Sequence, residues 1–229
     1  MTGAAGRARA VASREAGLSL PELLVAMLIL TVVSSVFMAG VVQMSRNTVE
    51  SEVTVDAADS VRRVFQRLDK EMRYADAVNF PGTSGTGRHY LEFRVPAVAA
   101  RSGATTCVQW RWDPTTKLLE SRTWAESAPS LPAFGTVAEN MVMGTDPSPI
   151  DPDDPPYPYP FGLEVASPEH PRQSVTVRIQ MRAAVGKRDV QSQSLFVARN
   201  STVDSAGNTD TNGDKVSDSP ACWRAGVRP

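Results

Sequence analysis

Between Leu23 and Met44 the chain places no charged residue, and this run of about 20 residues is long enough to cross the hydrocarbon core of a bilayer as a helix. No other feature narrows the possible folds as much. In lipid the backbone must satisfy its own polar groups, and a single segment can do so only by coiling into a helix. The flanks give the span a direction. Residues 1–17 carry Arg7, Arg9 and Arg14 against Glu15, whereas Arg46 beyond the span is followed by Glu50, Glu52, Asp56 and Asp59. Positive charge ahead of the span predicts an N-terminus on the cytoplasmic side, with everything beyond Met44 outside the cytoplasm.

The polar residues at the start of the span are unusual. A secretory signal has its small-residue cleavage site after the apolar region, but here Gly17 precedes it. A cut after Gly17 would leave the hydrophobic segment on the mature chain. Pro21 agrees with such a cut, because a proline within a helix clashes with the carbonyl four residues back, here that of Gly17. Once Gly17 is gone, Pro21 is the fourth residue, where a backbone N–H has no helical partner to lose. Glu22 lies five residues past the glycine, at the edge of the apolar run. A carboxylate in hydrocarbon costs about 2.5 to 3.5 kcal/mol at a helix centre and less near an end, so Glu22 needs a partner. A neighbouring subunit's new α-amino group would serve. The alternative is that Glu22 sits at headgroup depth, where the helix macrodipole favours an anion.

Glycine, the carboxylate five residues on and the uninterrupted apolar run together resemble the prepilin family, the precursors of type IV pilins and type II secretion pseudopilins. The resemblance implies cleavage after Gly17 by a prepilin peptidase and N-methylation of Leu18 as the new terminus. It also gives Glu22 the part of the family's fifth-residue glutamate, which sets the axial register as subunits enter a filament. Two positions depart from the usual pattern: Leu18 stands where phenylalanine is commoner, and Pro21 where an aliphatic residue is.

Helical patterning continues past the membrane. Val49, Val53, Ala57, Val61, Val64, Phe65, Leu68, Met72 and Ala75 recur every three or four residues, and no Gly or Pro interrupts Val41 to Val78. The opposite face carries Arg62, Arg63, Arg67, Asp69, Lys70, Glu71 and Arg73. A helix from Leu18 to Asp76 would be about 88 Å long. Its second half must lay the stripe on something apolar, either a sheet of the same chain or a second helix in a membrane-proximal coiled coil. Asn79-Phe80-Pro81-Gly82 and the run Thr83 to Gly87 end it.

Short β-type stretches follow, predicted at Tyr90 to Val95, Thr105 to Trp112, Lys117 to Trp124, Phe161 to Val165, Ser174 to Ala183 and Gln191 to Ala198. The second and third are joined as a hairpin at Asp113 to Thr116. Alternation puts Val108, Trp110 and Trp112 on a core face, and Val175, Val177, Ile179 and Met181 on another. Ala133 to Met143 is open between strand and helical turn. Asp146 to Pro160 is too rich in proline to pair within a sheet. Its Tyr157 and Tyr159 offer either a polyproline-type docking site or part of an irregular crossover.

From Asn200 onward the chain is polar, and is expected to be disordered or draped over the head. Asp210, Asn212, Asp214 and Asp218 have the alternating oxygen spacing of a calcium loop, with Gly213 for the turn, but the closing glutamate of an EF-hand is missing. The loop therefore reads either as a calcium site or as a solvated tail, and calcium is the one cofactor considered. Cys107 and Cys222, the only cysteines, form an even pair in a segment placed outside the cytoplasm, and a bridge between them would pin the tail to the second strand.

Composition excludes some classes. The net charge is -1, or -3 once residues 1–17 are removed, which provides no electrostatic footprint for nucleic acid. The two histidines, His89 and His170, stand apart beside turn residues, and there is no phosphate-binding glycine loop or zinc-spaced Cys/His cluster. No enzyme chemistry is expected. The reading is an α+β, pilin-like chain: a leader at 1–17, a membrane-spanning half-helix at 18–44, an amphipathic half at 45–78, an antiparallel β head at 79–199 and a polar tail at 200–229. The head size and the stretch Arg67 to Ala75 resemble minor subunits of the PilW or GspJ type, which implies a structural role in initiating a filament or at its tip. The partners so implied are prepilin peptidase, other pilin or pseudopilin subunits and the cytoplasmic membrane. The alternative is a signal-anchored bitopic protein with a ligand-binding or adhesive head.

Overall fold

Helix α1 spans Leu20–Met72, 53 residues without a break. The computed structural model describes residues 19–142, 160–182, 189–224 and 226–229. The chain divides into two units, 1–48 and 49–229. In the first, every described residue of α1 is exposed. The helix is long and apolar enough to cross a membrane, and nothing in its apolar window is buried by the protein. Two of its hydroxyls bond back to the helix, as a hydrocarbon setting would require: Thr31 Oγ1 donates to Leu28 O and Ser35 Oγ to Val32 O, both at 2.8 Å.

In the second unit α1 buries Val61, Val64, Leu68 and Met72, one stripe at spacings of three and four. Burial starts later than the periodicity suggests, since Val49 remains 43% exposed. The helix also ends sooner, at Met72 rather than Asp76. Asp76 is pulled into the sheet: its N–H donates to Arg94 O, and its carboxylate takes two bonds from the Arg94 guanidinium at 3.0 and 3.2 Å.

The head holds two antiparallel sheets where one was expected. The first contains β1 (Ala77–Val78), β2 (Gly82–Thr83), β3 (His89–Val95), β4 (Thr106–Asp113), β5 (Leu118–Ala125) and β6 (Gly135–Ala138), in the order β1-β3-β4-β5-β6 with β2 also on β3. The second is β7 (Phe161–Glu164), β8 (Ser174–Arg182) and β9 (Asp189–Val197), in chain order. The hairpin at Asp113 turns as predicted, with Asp113 Oδ1 accepting from Thr115 N and Thr116 N. The ambiguous stretch Ala133 to Met143 becomes β6 followed by a bridge of Met141 to Met181, which ties the two sheets together. The proline-rich loop with Tyr157 and Tyr159 lies outside the described residues, apart from Pro160.

One core serves α1 and both sheets. Leu91, Phe93, Val108, Trp110 and Leu119 of the first sheet and Phe161, Val175, Val177, Ile179, Met181 and Phe196 of the second join the helix stripe in it. The polar side of α1 takes part as well. Glu71 accepts from Trp110 Nε1 at 2.9 Å and from Arg67 Nε at 2.8 Å, while Arg67 also reaches Ser121 Oγ.

Candidate functional site

The first candidate lies in the apolar half of α1. Gly17 and Leu18 are outside the described residues. Glu22 falls in the first turn, where the free N–H groups favour an anion, and Leu23 N already donates to Ser19 O. It is the only carboxylate or cation in α1 before Arg46, so any partner for it inside a bilayer would have to come from outside this segment.

The second candidate is built on the outer face of the first sheet. Strand register aligns Glu92, Gln109 and Arg122 across β3, β4 and β5, side by side and facing away from α1. Gln109 donates to Glu92 Oε1 at 2.7 Å and accepts from Arg122 Nε at 2.7 Å. All three are buried, Glu92 to 1% exposure. A polar row this deep needs a cover that completes its hydrogen bonds. The C-terminal segment is that cover. Val227 O accepts from both Gln109 and Arg122, Arg228 clasps Glu92 through Nε at 2.9 Å and Nη2 at 2.6 Å, and Tyr90 Oη donates to Pro229 O. Burial, and then the neighbouring Arg111 charge, push the Arg122 guanidinium below its usual range. Phe134 covers it, 4.2 Å from the ring centroid.

The tail beyond Asn200 is therefore draped and packed, not disordered. A disulfide joins Cys107 of β4 to Cys222, 115 residues apart in sequence, and the pair packs with Trp124 and Val227 in a small second core. Asn79 holds the same segment, donating to Ala221 O and accepting from Ala221 N, both at 2.8 Å. Gly207 passes so close that a Cβ there would lie 2.5 Å from Val78 O, and its φ is +83°. The segment thus belongs to the head, although composition alone set it apart.

Asp210, Asn212, Asp214 and Asp218 form a surface loop closed by its own bonds. Asp210 accepts from the N–H groups of Gly213, Asp214 and Lys215, and Asp214 from Val216 N and Asn212 Nδ2. Asp218 accepts from the Thr211 hydroxyl and N–H, which hold its carboxyl below the usual range. Each carboxylate is turned onto donors within the loop. Among the described residues, Cys107, Glu126 and Cys222 are the group whose ligand atoms cluster as a metal would need, and its two sulfurs are joined to each other.

Beside that disulfide lies a cavity of about 370 Å³ lined by Arg94, Glu126, Ser219, Cys222, Trp223 and Arg224, among others. Sequence reading singled out neither this cavity nor the Glu92-Gln109-Arg122 row. The available signal was Glu92, a carboxylate between Leu91 and Phe93 in the β-type stretch Tyr90 to Val95. His89 stacks on Trp112, and its imidazole is depressed by burial; His170 is near Glu164. Neither histidine adjoins the cavity.

A scan of protein-family models, a search of curated proteins and a search of solved structures each found no match to this chain.

Proposed function

We propose that this chain is a minor pilin or pseudopilin, a structural subunit of a type IV pilus or type II secretion pseudopilus, processed by prepilin peptidase after Gly17. The observation that carries the reading is the apolar first half of α1, wholly unburied within its own chain, with Glu22 its one charge ahead of Arg46. Such a helix needs lipid before assembly and other helices after it, and Glu22 needs a cation in either setting. An α-amino group at Leu18 of an adjacent subunit would supply that cation and fix the axial step. The extracytoplasmic head would then be displayed on the filament, in keeping with the arginines ahead of the span and with a disulfide in the head.

Mass spectrometry of the N-terminus, on protein recovered from membranes with and without active prepilin peptidase, tests this reading. A mature peptide beginning at methylated Leu18 only when the peptidase is active is the expected result. A chain beginning near Met1 in both cases refutes it, and leaves a signal-anchored bitopic protein as the better account.

A further inference from the structure

We infer that the cavity beside the disulfide binds an acidic saccharide, a sugar ring bearing a carboxylate. The inference rests on the head alone and does not depend on the filament reading. At about 370 Å³ the cavity is within the usual range for a small-ligand site. One wall is the segment Ser219 to Arg224, held in place by Asn79 at Ala221 and by the Cys107–Cys222 bridge, so the site is preformed.

Three groups define the ligand. Trp223 lines the cavity and is 52% exposed; the Arg228 guanidinium lies 5.4 Å from its ring centroid, and the exposed remainder of the indole suits the C–H face of a pyranose ring. Arg224 directs Nη1 to Ala128 O and Nη2 to Glu126 O, and among the described residues no carboxylate is within ion-pair distance of it. Among those residues Arg224 thus has no carboxylate partner, unlike Arg94, which is held bidentately by Asp76 with Glu126 3.7 Å away. A ligand carboxylate would complete Arg224. The Glu126 carboxylate, 43% exposed, accepts from sugar hydroxyls, and it disfavours a dianionic phosphate at the same mouth. Ring, hydroxyls and a single negative charge together describe an acidic sugar, and fit a neutral sugar or a nucleotide less well.

The test is a glycan array carrying uronic-acid, sialic-acid and neutral oligosaccharides, probed with the full chain in detergent and followed by titration of the best-retained sugar. Retention of acidic sugars is expected, weakened roughly tenfold or more by Trp223→Ala and by Arg224→Gln, the loss of one stacking or charge-assisted contact. Trp223 is exposed and Arg224 half-buried with its guanidinium on Ala128 O and Glu126 O, so a cooperative melt and an intact disulfide are the check that each variant is folded. Arg224→Lys, which keeps the charge, is expected to recover part of the affinity. Retention of neutral sugars equal to that of acidic ones, retention of none, or affinity unmoved in both variants would overturn the inference.

Discussion

Replacing Arg228 by methionine removes the guanidinium that clasps Glu92 and leaves a carboxylate of 1% exposure with Gln109 Nε2 as its remaining side-chain donor. Breaking a buried ion pair from one side costs about 3 to 5 kcal/mol, because the surviving charge stays desolvated. Arg228 is itself 15% exposed, so water can enter where it was, and the lower end, about 3 kcal/mol, is the better expectation. The unit from residue 49 to 229 is of a size for which 1 kcal/mol moves the melting temperature by roughly 2 to 4 °C, so Arg228→Met should melt about 6 to 12 °C lower. Glu92→Gln should do less harm, about 1 kcal/mol, since Arg228 keeps its bond to Phe80 O and an acceptor at position 92. Combining the two removes the stranded charge, so the double variant should be more stable than the sum of the single losses by at least about 1 kcal/mol. Thermal unfolding of the four proteins by circular dichroism measures all three values. An Arg228→Met protein melting within about 1 °C of wild type, or strictly additive losses, would show that the tail does not carry the polar row.

Two further outcomes follow from the same architecture. Reducing the Cys107–Cys222 bridge opens a loop of 115 residues, whose closure is worth about 4 to 5 kcal/mol, and should lower the melting temperature by about 8 to 20 °C; identical melts with and without reductant would contradict the strap. Burial alone would raise the Asp113 carboxyl, but donation from Arg88 and from Thr115 and Thr116 N–H outweighs it and holds the group below the usual range. A depressed folded value stabilises fully above the unfolded one, near about 4, and is lost as pH falls through the folded value. The stability gap between wild type and Asp113→Asn should therefore narrow from about pH 6 to about pH 2.5 in urea titrations, and a constant gap would refute the assignment.

Much of this fold is readable locally. The uncharged run from Leu23, the stripe Val61-Val64-Leu68-Met72 and the alternation Val175-Val177-Ile179-Met181 each lie within one element, and each periodicity matches the burial found. A helix long and apolar enough to cross a membrane is legible from composition alone, because lipid would impose the same demand on every residue of it.

What lies across elements was not readable. Arg67 and Glu71 looked like solvent-facing charges, yet they grip Trp110 and Ser121, whose positions come from strands 39 and 54 residues away. Glu92, Gln109 and Arg122 become a row only through strand register, and their cover comes from residues more than 100 positions later. The tail carries too little apolar surface for hydrophobic patterning to detect, and its anchors include hydrogen bonds, the Arg228–Glu92 ion pair and the disulfide to Cys107. Periodicity reports which face of an element is apolar, and that is decided within a few residues. Whether a polar group can be buried depends on partners supplied by distant segments, and only the tertiary structure brings these together.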